Sequence, residues 1–242
     1  MHSKRSEQFG VLAKHWSPGL AKTRLASFCG DRNAAELHRV FLTATLRRFA
    51  TIGDRRVLSF TPEGRRADFE KVAEKKWTLL PQGSGDLGTR ITDYFQEAFS
   101  VGSHRVLLVG ADAPSLPTAT VAAAFSALEN HDLAFVPSDD GGYCLIGASR
   151  PVGPLMTNID WGSTSVWAQT QEKIAGLKWS AVVLPSWYDV DREKDLARLV
   201  SELAPQFGET RPGHDTSDAN LSWLYGQIIE ICEKLRLPRS SD

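Results

Sequence analysis

Residues 106–116, Val-Leu-Leu-Val-Gly-Ala-Asp-Ala-Pro-Ser-Leu, constrain this chain more than any other stretch. Val106 to Val109 are four apolar residues in a row, too few for a helix and rich in β-branched side chains. They predict a strand buried on both faces. Gly110 lets the backbone turn closely, Asp112 stands at the strand's carboxyl end, and Pro114 removes a backbone donor and presets a turn. In open α/β sheets, ligands bind in the crevice outside the carboxyl ends of the strands. A carboxylate there can hold a hard metal ion, and the metal can hold phosphates. On this stretch alone, Asp112 can equally serve as a cap for the next helix.

The rest of the chain alternates in the way such a strand requires. Apolar runs predict strands at 9–13, 55–60, 77–80, 132–136, 143–146 and 179–184. Three- and four-residue spacings predict helices over 33–50, 65–74, from Ile91 through Phe99, over 118–129, within 157–175, from Asp191 through Leu203, and over 217–235. Strand and helix in turn argue for a parallel sheet covered by helices. At 242 residues one sizeable core is expected. The expected division is a disordered lead at 1–8, one α/β domain at 9–204, and a C-terminal loop and helix at 205–242 packed on that domain.

A net charge of −1 gives no global field for nucleic acid, so a positive site has to be local. Cys29, Cys144 and Cys232 are few, scattered and odd in number, which fits a reducing, cytoplasmic setting better than a disulfide framework. No apolar run approaches the ~20 residues that span a bilayer. The charged N-terminus has no apolar segment of signal-peptide length after it.

Four loops carry the chemistry. Residues 14–25 hold Lys14, Lys22 and Arg24 around the turn pair Pro18-Gly19, a composition suited to offsetting polyphosphate charge. Residues 81–90 place Gly83, Gly85 and Gly88 among Gln82, Asp86 and Arg90, where backbone can approach a ligand closely. Asp139-Asp140-Gly141-Gly142 precedes an apolar strand and reads either as a hairpin turn or as a loop whose amides reach a substrate. Asp189-Val190-Asp191 puts two carboxylates on one face of an extended segment, although Asp191 can instead cap the helix that follows.

In this order, Pro18-Gly19…Lys22-Thr23-Arg24-Leu25, Gln82…Gly85-Asp86-Leu87-Gly88-Thr89-Arg90, Gly110-Ala111-Asp112-Ala113-Pro114-Ser115-Leu116, Asp140-Gly141-Gly142-Tyr143 and Asp189-Val190-Asp191…Asp195-Leu196 resemble the radical-SAM/selenodomain-associated transferase family. That family is labelled glycosyltransferase-like and belongs to the nucleotide-diphospho-sugar transferase superfamily. The resemblance covers residues ~9–200, an ordinary single-domain length. It implies a single Rossmann-like GT-A domain: a three-layer α/β/α structure with a mainly parallel mixed sheet and a nucleotide over the strand ends.

By the same resemblance, Lys14, Lys22, Thr23 and Arg24 would hold the polyphosphate, and Gln82, Gly85, Asp86 and Arg90 would surround base and ribose. Asp112 and Asp191 would bind Mg²⁺ or Mn²⁺. Lys22, Asp112 and Asp140 would be the catalytic residues, with Gly141, Gly142 and Tyr143 on the acceptor side. Asp-Ala-Pro stands where many metal-dependent glycosyltransferases have Asp-x-Asp, so one expected ligand is displaced.

Three functions stay open at this point. One is glycosyl transfer from a nucleotide sugar to a small-molecule acceptor. Another is nucleotidyl transfer from a nucleoside triphosphate to a phosphate or hydroxyl, with release of pyrophosphate. The last is nucleotide binding without catalysis. The sequence leaves base, sugar, acceptor and oligomeric state undetermined.

Overall fold

The computed structural model describes residues 6–204 and 218–236. The loop expected over 205–216 lies outside the described residues, as do residues 1–5 of the expected lead. The sheet claims the end of that lead, because β1 runs Glu7–Lys14. The other strands are β2 Arg55–Thr61, β3 Thr78–Pro81, β4 Arg105–Gly110, β5 Leu133–Pro137, β6 Tyr143–Ala148 and β7 Ala181–Val183. They form one sheet in the order β3-β2-β1-β4-β6-β5-β7. Only β6 runs antiparallel to its neighbours, paired with β4 and β5. The Asp-Gly stretch at 138–142 is therefore the hairpin turn joining β5 to β6, closed by Ser138 N–H donating to Gly142 O at 3.0 Å.

The buried strands alternate sides with period two. Phe9, Val11 and Ala13 of β1 face a cluster with Leu42, Leu46, Phe69, Val121 and Phe125. These come from helices α1 (Thr23–Arg48), α2 (Arg66–Ala73) and α4 (Thr118–Ala127). The opposite face packs on α3 (Leu87–Ser100), α5 (Gly153–Met156) and α6 (Val166–Leu177) through Ile91, Phe95, Leu155 and Trp167. The three layers and the mainly parallel mixed sheet are those of a GT-A-like fold. Beyond α1 lie α7 (Glu193–Leu203) and α8 (Ala219–Arg236), whose Leu196, Leu199, Leu224 and Ile228 cover Leu25, Leu37 and Phe41.

One boundary differs from the sequence expectation. Helix α1 begins at Thr23, ten residues before the expected start, and is interrupted at Gly30 (φ 77°, ψ 158°). Its first turns carry a basic face that reads as loop, yet Leu25 and Cys29 are buried against the outer cluster. The helix expected within 157–175 is α6, which starts at Val166 and runs to Leu177.

The chain leaves β1 for β2 and β3 on one side, then crosses to β4 on the other. The crevice between the carboxyl ends of β1 and β4 is thus the topological switch point, where open α/β sheets bind ligands. A buried arginine fixes the turn that carries Asp112 there. Arg48, at the end of α1, donates to Pro114 O at 2.7 Å and Leu116 O at 2.9 Å and pairs with Asp218 at 2.9 Å. Arg48→Met is expected to cost about 1–3 kcal/mol, because buried carbonyls and Asp218 lose their donor. A urea titration followed by circular dichroism reads that loss, and an unchanged midpoint would contradict the role.

Candidate active site

The first three residues of α1 have no side-chain cap, and Lys22 precedes them in a left-handed conformation (φ 51°, ψ 44°). That conformation costs a non-glycine residue energy. It turns the Lys22 side chain inward, where it is only 3% exposed, and its Nζ lies 2.7 Å from Asp112 Oδ1 and 2.7 Å from Asp191 Oδ1. Asp191 also faces Arg24 at 3.6 Å. The two acid-bearing segments are held together by backbone: Val190 N–H donates to Asp112 O at 2.9 Å. Asp191 does not cap α7. Arg192 takes the N-cap position, and Asp195 accepts from the amides of Arg192 (2.9 Å) and Asp191 (3.2 Å). The Asp191 side chain is left for the site.

Charge is balanced tightly here. Burial alone would push the Asp112 carboxyl up, but Lys22 and His38 outweigh it and hold it well below the usual carboxylate range. Burial would likewise lower Lys22, and the two carboxylates raise it instead. Asp189 is pushed up to about 7, first by burial and then by the charge of Asp112, against the pull of Lys22.

The cleft around this centre has a volume of about 700 Å³. Lys14, Lys22, Thr23, Arg24, Asp112, Asp140, Gly142, Tyr143 and Asp191 all line it, so four separate sequence stretches meet in one place. A second lobe of about 330 Å³ shares Lys14, His38, Asp112 and Tyr143 and adds Gln82 and Arg90. Asp140 accepts from the Ser138 hydroxyl and from the Gly142 amide at 3.1 Å, which holds one carboxylate oxygen in place. Burial pushes the Tyr143 phenol up, so it stays protonated.

Three expected site residues sit elsewhere or act differently. Asp86 caps α3, accepting from the Thr89 amide at 2.8 Å, and Gly85 (φ 103°) makes the turn before it; neither lines the cleft. Gly141 is constrained by packing. At φ 89°, a Cβ on it would come within 2.7 Å of the Thr164 carbonyl carbon, and its own carbonyl accepts the Trp167 amide at 2.8 Å. Gly141 thereby joins the β5–β6 turn to the wall formed by Trp161, Ser163 and Thr164.

His38 is a cleft residue with no motif to announce it, because it lies in the periodic apolar run of α1. Its Nε2 donates to Lys14 O at 2.9 Å, and its Nδ1 lies 3.4 Å from Asp112 Oδ1. His15, the histidine of the basic loop, instead stacks on Trp16 and reaches Asp68, outside the cleft.

Residues 45–163 match the family described as "Uncharacterized protein conserved in bacteria (DUF2064)". A proposed nucleotide-diphospho-sugar transferase from Desulfovibrio desulfuricans G20 is similar in structure, with a TM-score of 0.83 and 28% identity over 96% of this chain and 98% of that one. More distant likeness, of fold alone, extends to two further enzymes. A cytidylyltransferase from Leptospira borgpetersenii serovar Hardjo-bovis has a TM-score of 0.53 at 15% identity, over 96% of this chain and 95% of that one. A 4-diphosphocytidyl-2C-methyl-D-erythritol synthase has a TM-score of 0.52 at 12% identity, over 80% of this chain and 95% of that one. No curated protein matches by sequence. Among the described residues, no helix is long and apolar enough to cross a membrane.

Proposed function

We propose that this protein is a metal-dependent transferase that uses a nucleotide-activated donor, with glycosyl transfer from a nucleotide sugar to a small-molecule acceptor as the leading reaction. The observation that carries the reading is the Lys22 ammonium held between Asp112 and Asp191 at the switch point of the sheet. Two carboxylate oxygens already face one cation there. Among the described residues, no three His, Cys, Asp or Glu side chains cluster as a metal cage. A donor set of two carboxylates fits Mg²⁺ or Mn²⁺, which take the rest of their shell from water and substrate phosphates. Such an ion would offset charge developing on the leaving phosphate.

The chain's own residues supply the remainder. Lys14, Lys22 and Arg24 offset phosphate charge, and the uncapped amides at the start of α1 offer donors to an anion. In glycosyl transfer, an acceptor hydroxyl oxygen bonds to the anomeric carbon as the bond to the nucleoside diphosphate breaks, and Asp140 would take the hydroxyl proton. Gly142 and Tyr143 would line the acceptor side. The likeness to the Desulfovibrio protein over nearly the whole chain favours this reaction.

A second reading is nucleotidyl transfer, in which an acceptor oxygen bonds to the α-phosphorus and pyrophosphate leaves. The three cations that line the cleft, Lys14, Lys22 and Arg24, suit the triphosphate this reaction needs.

A thermal-shift screen of nucleoside triphosphates and nucleotide sugars, each with and without Mg²⁺ or Mn²⁺, tests the proposal. Ligand at ~100 times its Kd adds ~2.7 kcal/mol of stability, a readable shift. Metal-dependent stabilisation by a nucleotide sugar is the expected result, and stabilisation by a triphosphate alone would favour nucleotidyl transfer. Metal-independent binding without turnover would point to a non-catalytic nucleotide module and contradict both reactions.

A further inference from the structure

Gln82 and Arg90, at the inner lobe of the cleft, have fixed hydrogen-bonding polarity. The Gln82 amide nitrogen donates to two backbone carbonyls, Ser59 O at 2.8 Å and Ala13 O at 3.1 Å, and its backbone N–H donates to Phe60 O at 2.8 Å. A carbonyl can only accept, so the amide cannot be flipped: both Nε2 hydrogens are used, and Oε1 alone is left to meet a ligand. Beside it, Arg90 has one acceptor among the described residues, Gln82 Oε1, at a long 3.4 Å. Asp86 feels the charge of Arg90, but among the described residues no carboxylate lies within ion-pair distance of it, and its Nε is buried without a hydrogen-bond partner. A guanidinium carries five donors. This one is poorly satisfied and lines a lobe whose other walls include Leu12, Leu108 and Ile146.

We propose that this lobe selects a nucleobase carrying two adjacent acceptors next to a donor, which is guanine or cytosine, over adenine and uracil. The inference rests on the nucleotide reading above. Arginine binds two adjacent acceptors with its planar fork, as it does with O6 and N7 of guanine. Guanine presents N7, O6 and N1–H in sequence, and cytosine presents O2, N3 and the N4 amino group. Each offers two acceptors to Arg90 and then a donor to Gln82 Oε1. Adenine alternates acceptor, donor, acceptor along its edge, and so does uracil, so neither offers the fork an adjacent pair. Glutamine reads adenine by donating and accepting together, and here its donors are already spent on the sheet.

Binding of GDP, CDP, ADP and UDP to the full chain with Mg²⁺ tests this by calorimetry. These diphosphates are the fragment that both reaction readings share. GDP or CDP is expected to bind about 5- to 150-fold more tightly than ADP and UDP, the usual discrimination of a bidentate contact. Removing one acceptor from the preferred base, with 7-deaza-GDP or 3-deaza-CDP, is expected to erase most of that margin in the unaltered protein. Arg90→Lys keeps the charge and loses the fork, so it should bring the four affinities together.

Binding of ADP or UDP as tight as that of GDP and CDP overturns the inference alone. An equal loss for all four bases in Arg90→Lys puts Arg90 on phosphate or ribose and also overturns it. If none of the four binds, the nucleotide reading falls and this inference with it.

Discussion

Replacing Lys22 with methionine is expected to lower turnover about 10²–10³-fold, the range found when one electrostatic donor is removed from a reacting centre. Methionine roughly fills the volume of the lysine stem but leaves Asp112 and Asp191 facing each other without the ammonium that lies 2.7 Å from each. The stability effect should be smaller. Breaking a buried ion pair costs about 3–5 kcal/mol, but Asp112 and Asp191 are 41% and 34% exposed, and water can screen what remains. The variant should therefore fold and should still gain stability from Mg²⁺, because Asp112 and Asp191 both remain. Its melting temperature with and without Mg²⁺ checks the structural half, and single-turnover rates with the donor found by screening check the chemical half. Unchanged rates would remove Lys22 from the site.

The second large effect concerns the floor beneath the site. Gly10 lies in the middle of β1, and a Cβ there would overlap the buried Tyr94 ring, with Cε2 at 2.7 Å. Tyr94 donates to Leu107 O at 3.2 Å on the neighbouring strand β4, so its hydroxyl ties α3 to the centre of the sheet. Gly10→Val is expected to cost about 3 kcal/mol or more, because the side chain must either displace a fully buried tyrosine or push apart packed layers. For a chain of this size that is a fall of about 6–12 °C in Tm. Differential scanning calorimetry reads it directly. A fall of less than about 2 °C would mean that α3 slides away at little cost, and that Tyr94 does not hold it.

Much of this arrangement could be read from the residues. The four-residue apolar strand ending at Gly110-Ala111-Asp112 needed burial on both faces, and β4 lies at the centre of the sheet. The turn chemistry of Asp139-Asp140-Gly141-Gly142 marked the β5–β6 hairpin. Lys14, Lys22, Arg24, Asp112, Asp140 and Asp191, noted as separate loops, line one cleft. What could not be read depends on distance along the chain. The bridge from Lys22 to Asp191 joins residues 169 positions apart and exists only because the segment after β7 is hydrogen-bonded beside Asp112. His38 carried no signal, since one polar residue in an apolar helical run looks the same whether it faces a cleft or a neighbouring helix. Asp86 shows the opposite case: expected around base and ribose, it caps α3 through short-range geometry.

The central claim, that Asp112 and Asp191 bind a divalent cation together with nucleotide phosphates, is tested most directly by calorimetric titration of the best nucleotide ligand into the unaltered protein and into Asp112→Asn. Both titrations would be run with Mg²⁺ and with a chelator. The account predicts that Mg²⁺ tightens binding to the unaltered protein at least about tenfold, about 1.4 kcal/mol, and that Asp112→Asn loses this gain while still folding. Equal affinity with and without the metal, or an Asp112→Asn protein that keeps the full Mg²⁺ gain, would contradict it.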